Sequence, residues 1–235
     1  MDVPSGSVFS EHDLGLVRLM KTVGFLQYSE TPFTLKSGVQ SHIYVFGRED
    51  LTDNIGFEYK LGLAVAQRIA DLTVPGSKQP CLIGLPTAGT AIAQAAAMVT
   101  HNCDVLGGGN QPLYMCHRIM RETLKQHGAH QKWVNGDPDY DRHQYWWVDN
   151  VATNGDTKIE AEEKVVTQGY HMKEDPCLIT VDRQQGAVDR LYKAGFKHVI
   201  VLYELLDLTY ALAEMNLWPK DVVKKVEEEI KAHQF

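Results

Sequence analysis

The sequence has few cysteines and no long apolar run. Its four cysteines, Cys81, Cys103, Cys116 and Cys177, lie far apart and form no CxxC pair, so neither a disulfide framework nor a zinc site is expected. No stretch reaches the length of a membrane span, and residues 1–6 carry neither a basic nor an apolar segment, so we expect no signal peptide. These absences predict a cytoplasmic protein.

An excess of basic residues is also missing. The formal net charge is -7, whereas general nucleic-acid binding requires a basic surface. A phosphate-rich small molecule needs only a local basic patch, so such a substrate stays possible. The 235 residues, 44% hydrophobic and 23% charged, are typical of a soluble globular protein and suffice for one α/β domain with a large core.

Helix and strand patterns alternate along most of the chain and predict an α/β fold. A hairpin is expected at 33–45, with its turn at Ser37-Gly38. Residues 222–227 are predicted to form a surface helix. Helices are expected at 11–27 (ending near Gly24), 53–72 (capped by Asp53 or Asn54), from 90 to about 99, 158–169, 188–195 and 204–233, and strands at 81–84, 113–116, 145–148, 177–181 and 198–203.

The most informative stretch is 145–158. Its bulky aromatic start predicts a buried strand, with Asp149 and Asn150 at its carboxyl end, where open parallel sheets bind ligands. The polar loop 153–157 contains a glycine and precedes a helix, an arrangement that directs backbone N–H groups at an anion. The alternative is a helix cap without a ligand, because Thr157 and Glu160 fit a capping box.

Three further segments carry candidate site residues. Residues 84–90 again form a strand, a glycine-containing loop and a helix start, which favours an anion. The long polar stretch 117–142 is either functional or a solvated basic excursion. Arg183 follows a strand end, where its planar guanidinium suits a carboxylate or imide, although a salt-bridged helix start is the alternative.

Taken in order, these segments resemble the motifs of type I phosphoribosyltransferases, and of orotate phosphoribosyltransferases in particular. The similarity includes Phe-Thr-Leu-Lys-Ser-Gly with Ser-x-Ile-Tyr at 33–44, the Arg-Lys-His-Gly positions within 121–128, the loop at 149–157 and Asp-Arg-x-x-Gly at 182–186. The resemblance implies a single domain with a central parallel sheet flanked by helices. A small hood would span about 1–50, the core about 51–205 and a helical segment about 204–235.

The resemblance also implies roles for individual residues. The donor would be phosphoribosyl diphosphate (PRPP), the acceptor orotate or a related base, and the products a nucleotide and diphosphate. Mg²⁺ would be carried by PRPP rather than by side chains, and the partner would be a second copy of the chain. Arg48 also falls where relatives carry an arginine.

The resemblance assigns residues to three roles. The implied catalytic residues are Lys125, His127 and Asp149. The implied PRPP-binding residues are Lys36, Ala88, Arg121, Lys125, His127, Asp149, Asn150, Val151, Ala152, Thr153, Asn154, Gly155, Asp156 and Thr157. The implied base-binding residues are Ile43, Tyr44, Thr153 and Arg183.

The chain departs from the family pattern at several of these positions. Asn150 replaces the second acid of the loop, Asp156 a small or hydroxylic residue, and Glu122 a lysine, while Ala88 stands where some relatives have lysine. His42 stands where the family usually has proline. A carboxylate about 4 Å from a phosphate costs on the order of 4 kcal/mol at an effective dielectric of 20. The sequence therefore permits two hypotheses, an active enzyme or a binding, regulatory or altered-specificity homologue with weak or no orotate turnover.

Overall fold

The computed structural model describes residues 1–35, 38–47, 49–102, 105, 107, 112–124, 127 and 132–235. Within these ranges, none of the helices combines the length and the apolar character needed to cross a bilayer.

The core is a five-stranded parallel sheet in the order β4-β3-β5-β6-β7, which confirms the predicted central parallel sheet. From β3 the chain moves to one neighbour, β4, and then returns to the other side of β3 to form β5. The strand order therefore reverses between β3 and β5, and such a switch point opens a crevice at the carboxyl ends of the strands. The strands are β3 (Gln79–Gly84), β4 (Cys116–Ile119), β5 (His143–Ala152), β6 (Cys177–Asp182) and β7 (Val199–Glu204).

Both faces of the sheet are covered, as the aromatic run of β5 predicts. Tyr145 and Trp147 point into one hydrophobic cluster, while Trp146 and Val148 point into the other. All four side chains are buried, because successive residues of a strand alternate between the faces. A strand buried on both sides needs apolar residues at every position, which is what this stretch supplies.

Helices form the layers on either side. The larger cluster includes residues of α1, α3, α4, α7 and α8, and the smaller one residues of α5 and α6. Helix α1 begins with a capping box between Ser10 and Asp13, which pairs otherwise unsatisfied N–H groups. The helices are α1 (Glu11–Thr22), α2 (Glu49–Thr52), α3 (Ile55–Leu72), α4 (Ala88–Asn102), α5 (Asp156–Val165, followed by a 3-10 turn at Val166–Gln168), α6 (Ala187–Lys193), α7 (Leu205–Glu214) and α8 (Asp221–Ala232).

A two-stranded antiparallel hairpin precedes the sheet. It consists of β1 (Leu26–Thr34) and β2 (Gln40–Val45), so the predicted hairpin is confirmed. Gly38 has φ +84°, a backbone conformation that glycine adopts without steric cost. Phe25, Ile43 and Val45 join the larger hydrophobic cluster, which attaches the hairpin to the rest of the molecule.

Two predicted elements were wrong in position or extent. Strand β4 lies at Cys116–Ile119 rather than 113–116, because an edge strand paired only with β3 tolerates polar residues such as His117 and Arg118. The predicted helix at 204–233 is divided into α7 and α8 by the segment 215–220, which contains Pro219. Helix α8 is amphipathic, as expected of the predicted surface helix: Val222 and Val226 are completely buried, whereas charged residues such as Lys224 are exposed.

Candidate active site at the carboxyl ends of the strands

The turn after β3 lies against the end of β5. The Leu85 N–H donates to the Val148 carbonyl at 2.8 Å, and a Cβ added to Gly89 would lie 2.4 Å from that same oxygen. Only glycine permits this approach. It brings Ala88, at the start of α4, beside the Asp149 end of β5, as expected for two strand ends that meet at a switch point.

Asp149 is paired inside the protein. Strand β5 continues beyond the predicted end at Val148 to Ala152, and the Asp149 carboxylate forms an ion pair with Lys158 from the first turn of α5. Both side chains are buried, and the Lys158 ammonium also donates to the Val151 carbonyl at 2.6 Å. A buried carboxylate is costly without a partner; Lys158 supplies that partner and holds Asp149 in one orientation. Sequence analysis assigned Lys158 no role.

The loop between β5 and α5 has no side-chain cap. Gly155, at the N-cap position, has φ +82°, and α5 begins at Asp156. Thr157 therefore lies inside the helix, and the alternative of a capping box with Glu160 is wrong. Instead the Asn154 amide oxygen accepts from the Asp156 N–H at 3.2 Å, which fixes the loop from within.

The charge of Asp156 is matched by a cation that the sequence analysis missed. Arg190 of α6 pairs with the Asp156 carboxylate at 2.6 Å and donates to the Asn154 carbonyl at 3.1 Å. The Asn154 amide donates to the other carboxylate oxygen at 2.6 Å. The pair is roughly half exposed, so its contribution to stability is small, but it offsets the negative charge that Asp156 adds to the loop.

Two adjoining cavities occupy the crevice. The smaller, about 280 Å³, contains the loop 153–157 and Arg183; the larger, about 630 Å³, contains Asp149, Asn150, Ala88 and Arg121. Their walls have five residues in common, so the two form one groove. The shared residues are Tyr44, Val45, Val151, Thr157 and Glu160.

Arg121 brings a cation to the larger cavity. Its backbone N–H donates to the Trp133 carbonyl at 2.7 Å, which anchors it at the end of β4. Its Nε is buried without a hydrogen-bond partner among the described residues, and an unsatisfied buried donor costs about 1–3 kcal/mol. Glu122, the family-pattern departure, is exposed beside it and lines the same cavity. A ligand oxygen near Arg121 would satisfy the donor.

Of the other cations predicted to bind PRPP, only His127 lies within the described residues. His127 is exposed and is not among the residues that line the groove. Lys125, Lys36 and Arg48 lie outside the described residues, so their predicted roles stay predictions.

The hairpin contributes one aromatic wall. Tyr44 lines both cavities, with its ring centroid 4.2 Å from that of Phe46. Ile43, also predicted to contact the base, points to the opposite face of β2 and is fully buried in the core. Its side chain lines neither cavity. Ala152 is likewise buried beneath its loop, so it would contribute only through its backbone.

Arg183 lies at the inner end of the smaller cavity and is almost fully buried. Burial lowers the pKa of its guanidinium, whereas the neighbouring Glu229 acts to raise it. The guanidinium pairs with Glu229 of α8 at 3.0 Å and donates to the Ser41 hydroxyl at 2.6 Å. Sequence analysis placed Arg183 at this strand end, but it did not identify either partner, because both come from distant segments.

Comparison with known proteins agrees with this geometry. No family model matches the chain. In sequence it is 25% identical over 199 residues to the orotate phosphoribosyltransferase of Nostoc sp., covering 85% of this chain and 87% of that relative. The chain is a divergent orotate phosphoribosyltransferase homologue. Its fold is that of the type I phosphoribosyltransferases, as two solved structures indicate.

The structural neighbours of this homologue are similar over most of its length. UMP synthase of Leishmania donovani matches with a TM-score of 0.69 at 20% identity over 93% of this chain, which spans 42% of that protein. Orotate phosphoribosyltransferase of Mycobacterium tuberculosis H37Rv matches with a TM-score of 0.59 at 19% identity over 84% of this chain and 98% of that one. At these identities the likeness establishes the fold, and the chemistry must be argued from the groove itself.

The groove of this phosphoribosyltransferase homologue can hold an extended ligand with phosphates. One part offers a glycine-containing loop at a helix start, and the middle offers a fixed carboxylate and an amide. The far part offers the Arg121 Nε donor, which has no partner within the described ranges. Lys158, Arg190 and Glu229 supply the ion-pair partners of the charged residues in these parts. No local pattern marks them, since each is recognised only by the partner it reaches across the fold.

Proposed function

We propose that the chain transfers a phosphoribosyl group from PRPP to orotate or a related base, forming a nucleotide, orotidine 5′-phosphate when orotate is the acceptor, and diphosphate, in pyrimidine biosynthesis. The observation that carries this proposal is the single groove in which the loop 153–157, Asp149, Arg121 and Arg183 converge. These residues come from three separate segments of the chain, and their arrangement suits a sugar that carries phosphate at both ends.

The proposal assigns each part of the groove to one part of the substrates. The 5′-phosphate would bind at the loop 153–157, where the helix dipole of α5 favours an anion. The ribose hydroxyls would face Asp149 and Asn150, and the diphosphate would face Ala88 and Arg121. The base would lie against Tyr44. Lys125 and His127 are proposed to neutralise the leaving diphosphate, as the sequence resemblance implies.

Mg²⁺ fits this groove as an ion carried by PRPP. Among the described residues, no three His, Cys, Asp or Glu side chains converge on one point. The Asp149 carboxylate is already engaged by Lys158 and by the Asn150 N–H at 2.9 Å. The Asn150 amide oxygen is the hard ligand that Mg²⁺ accepts. The ion would supply neutralisation of the diphosphate charge.

The chemistry requires little covalent work from the protein. The bond between C1 of the ribose and the diphosphate oxygen breaks, and positive charge develops on the ribose ring. A base nitrogen forms the new bond to C1 and releases its proton to solvent. Fixed charges near the diphosphate stabilise the leaving group. The Tyr44 wall and the hairpin limit the entry of water, which would otherwise compete with the base.

Diphosphate release tests the proposal. Purified protein is mixed with Mg²⁺ and PRPP, with and without orotate, alongside Lys125→Ala. The matched control is Lys132→Ala, which removes a partly exposed lysine paired with Asp137 outside the groove. We expect orotate-dependent release, a fall of about a hundredfold or more in kcat for Lys125→Ala, and no change for Lys132→Ala. Absence of orotate-dependent release from the unaltered protein would contradict the proposal.

One observation favours the altered-specificity or regulatory alternative. Arg183, the residue expected to receive the acidic base, is already engaged by Glu229. Isothermal titration with PRPP and a screen of bases would separate the two hypotheses, because a regulatory homologue binds PRPP without releasing diphosphate. The homodimer is proposed on the same resemblance, and the cytoplasmic location on the sequence features described above. The mass of the purified protein in solution would test the dimer.

A further inference from the structure

The segment 229–235, at the end of α8 and just after it, covers the loop between β6 and α6. The Phe235 N–H donates to the Gln185 carbonyl, and the Gln234 amide donates to the Gln184 carbonyl, both at 3.0 Å. The approach is close, since a Cβ added to Gly186 would lie 2.7 Å from the Phe235 carbonyl. The acceptor side of the groove is therefore covered by the chain itself.

The guanidinium of Arg183 has almost no donor left for a ligand. Besides its bonds to Ser41 and Glu229, its Nη1 donates to the Ile43 carbonyl at 3.1 Å, and its Nε approaches the Gln185 amide oxygen at 3.4 Å. A single N–H on Nη1 lacks an acceptor within the described part of the chain. A planar acid needs a pair of adjacent N–H groups to bind in bidentate fashion.

Glu229 itself is held as a bound carboxylate would be. One oxygen accepts from Arg183, and the other lies 3.3 Å from the His42 backbone N–H. Glu229 shares the buried face of α8 with Val222 and Val226, whereas Glu227 and Glu228 of the same helix are exposed. The buried position is occupied by a carboxylate because its counter-ion, Arg183, lies opposite.

We propose that Glu229 is a specificity-determining residue that occupies the place on Arg183 where the carboxylate of an acidic acceptor base binds. An acidic base must displace Glu229 to reach the guanidinium, whereas a base without a carboxylate need not. This inference rests on the proposed function, because it takes the acceptor to bind beside Tyr44 and Arg183. It adds to that function a selection between acidic and neutral bases, which the Glu229 carboxylate controls.

The test compares Glu229→Gln with the control Glu228→Gln, which removes the same charge from an exposed position of the same helix. Dissociation constants are measured by isothermal titration, without turnover, for orotate, for uracil, which lacks the carboxylate, and for PRPP. For Glu229→Gln we expect orotate to bind about tenfold more tightly, because it no longer competes with an internal ion pair. The affinities for uracil and PRPP, and all affinities of Glu228→Gln, should stay unchanged.

A purely structural role would give a different result. If Glu229 only holds α8 against the sheet, its substitution would weaken the binding of orotate and of uracil together. That outcome, or an unchanged affinity for orotate, would overturn the inference. If Glu229→Gln does not fold, hydrogen exchange at the amides of residues 229–232 in the unaltered protein decides instead. Saturating orotate should accelerate that exchange and uracil should not; equal exchange with both would overturn the inference.

The two proposals fail separately. If the unaltered protein releases no diphosphate with PRPP and orotate, but Glu229→Gln binds orotate more tightly, the proposed reaction is wrong and the competition by Glu229 stands. If diphosphate is released and the substitution leaves orotate affinity unchanged, the reaction stands and the competition is wrong.

Discussion

The loops that follow β5 and β6 have the same local construction and different surroundings. Each leaves a parallel strand at its carboxyl end, passes through a glycine with positive φ, Gly155 at +82° or Gly186 at +94°, and enters a helix without a side-chain cap. The β5–α5 loop lines the open groove. The β6–α6 loop is covered by residues 234 and 235. Identical local rules thus produce one loop that lines the open groove and one loop that the end of the chain covers.

The acidic residues of the two strands differ in the same way. Asp149 of β5 has a buried cation, Lys158, as its partner. Asp182, at the end of β6, has a carboxylate oxygen without a hydrogen-bond partner among the described residues. Burial raises its pKa, although a hydrogen bond from the Gln184 backbone and the charge of Lys158 act in the opposite direction. The acid of β5 therefore has a buried ion-pair partner, whereas the acid of β6 has none among the described residues.

The largest expected effect comes from removing the cation that pairs with Asp149. Lys158→Met leaves the buried Asp149 carboxylate without its counter-ion, and removal of one partner of a buried pair lowers the free energy of unfolding by about 3–5 kcal/mol. Urea denaturation measures the loss. Lys164→Met on the same helix, a half-buried lysine that contacts the Trp133 ring, is the control. Equal losses for the two variants would show that the pair does not stabilise the loop.

A smaller effect should separate the two glycines. Alanine at either position costs about 1–2 kcal/mol, because a Cβ is strained in the left-handed region. At Gly155 the added Cβ would meet the flexible Leu191 side chain at 3.3 Å, whereas at Gly186 it would meet the Phe235 backbone at 2.7 Å. We expect Gly186→Ala to cost about 1 kcal/mol more in unfolding free energy. Equal costs would argue that residues 234 and 235 do not cover the loop in solution.

The smallest effect depends on pH. Because the pKa of Asp182 is raised in the folded protein, the folded state holds this proton to higher pH than the unfolded chain does. Its contribution to stability is present below about pH 4 and is lost as the pH rises through the folded pKa. Asp182→Asn cannot lose this contribution, so the melting temperature of the variant relative to that of the unaltered protein should rise as the pH increases above about 4.

The control for this pH series is Glu163→Gln, which removes an exposed carboxylate from helix α5. Its melting temperature should follow that of the unaltered protein across the series. A difference between Asp182→Asn and the unaltered protein that is constant with pH would mean that the effect is one of packing and not of ionisation.

Much of the fold could be predicted because its signals are local. The aromatic run at 145–148, the hairpin at 33–45 and the alternation of strands with helices each depend on neighbouring residues, and the structure contains all three. Strand β4 was misplaced because an edge strand with polar residues has no clear periodicity.

The candidate site also contains residues that local sequence signals locate and residues that they do not. Asp149, Thr153 and Arg183 could be located from the sequence, since each lies at a strand end or in a glycine-containing loop. The partners that set their charge could not. Glu229 is 46 residues from Arg183, and Arg190 belongs to a different helix from Asp156, so no spacing rule connects either pair.

By itself, the sequence determined the order of strands and helices, the loops at the strand ends and the kind of ligand that such loops attract, because these depend on backbone geometry over a few residues. Only the tertiary structure decided which charges are neutralised and which loop is covered. Those outcomes depend on where α5, α6 and α8 pack, and a charge acts according to its neighbours in space rather than in sequence.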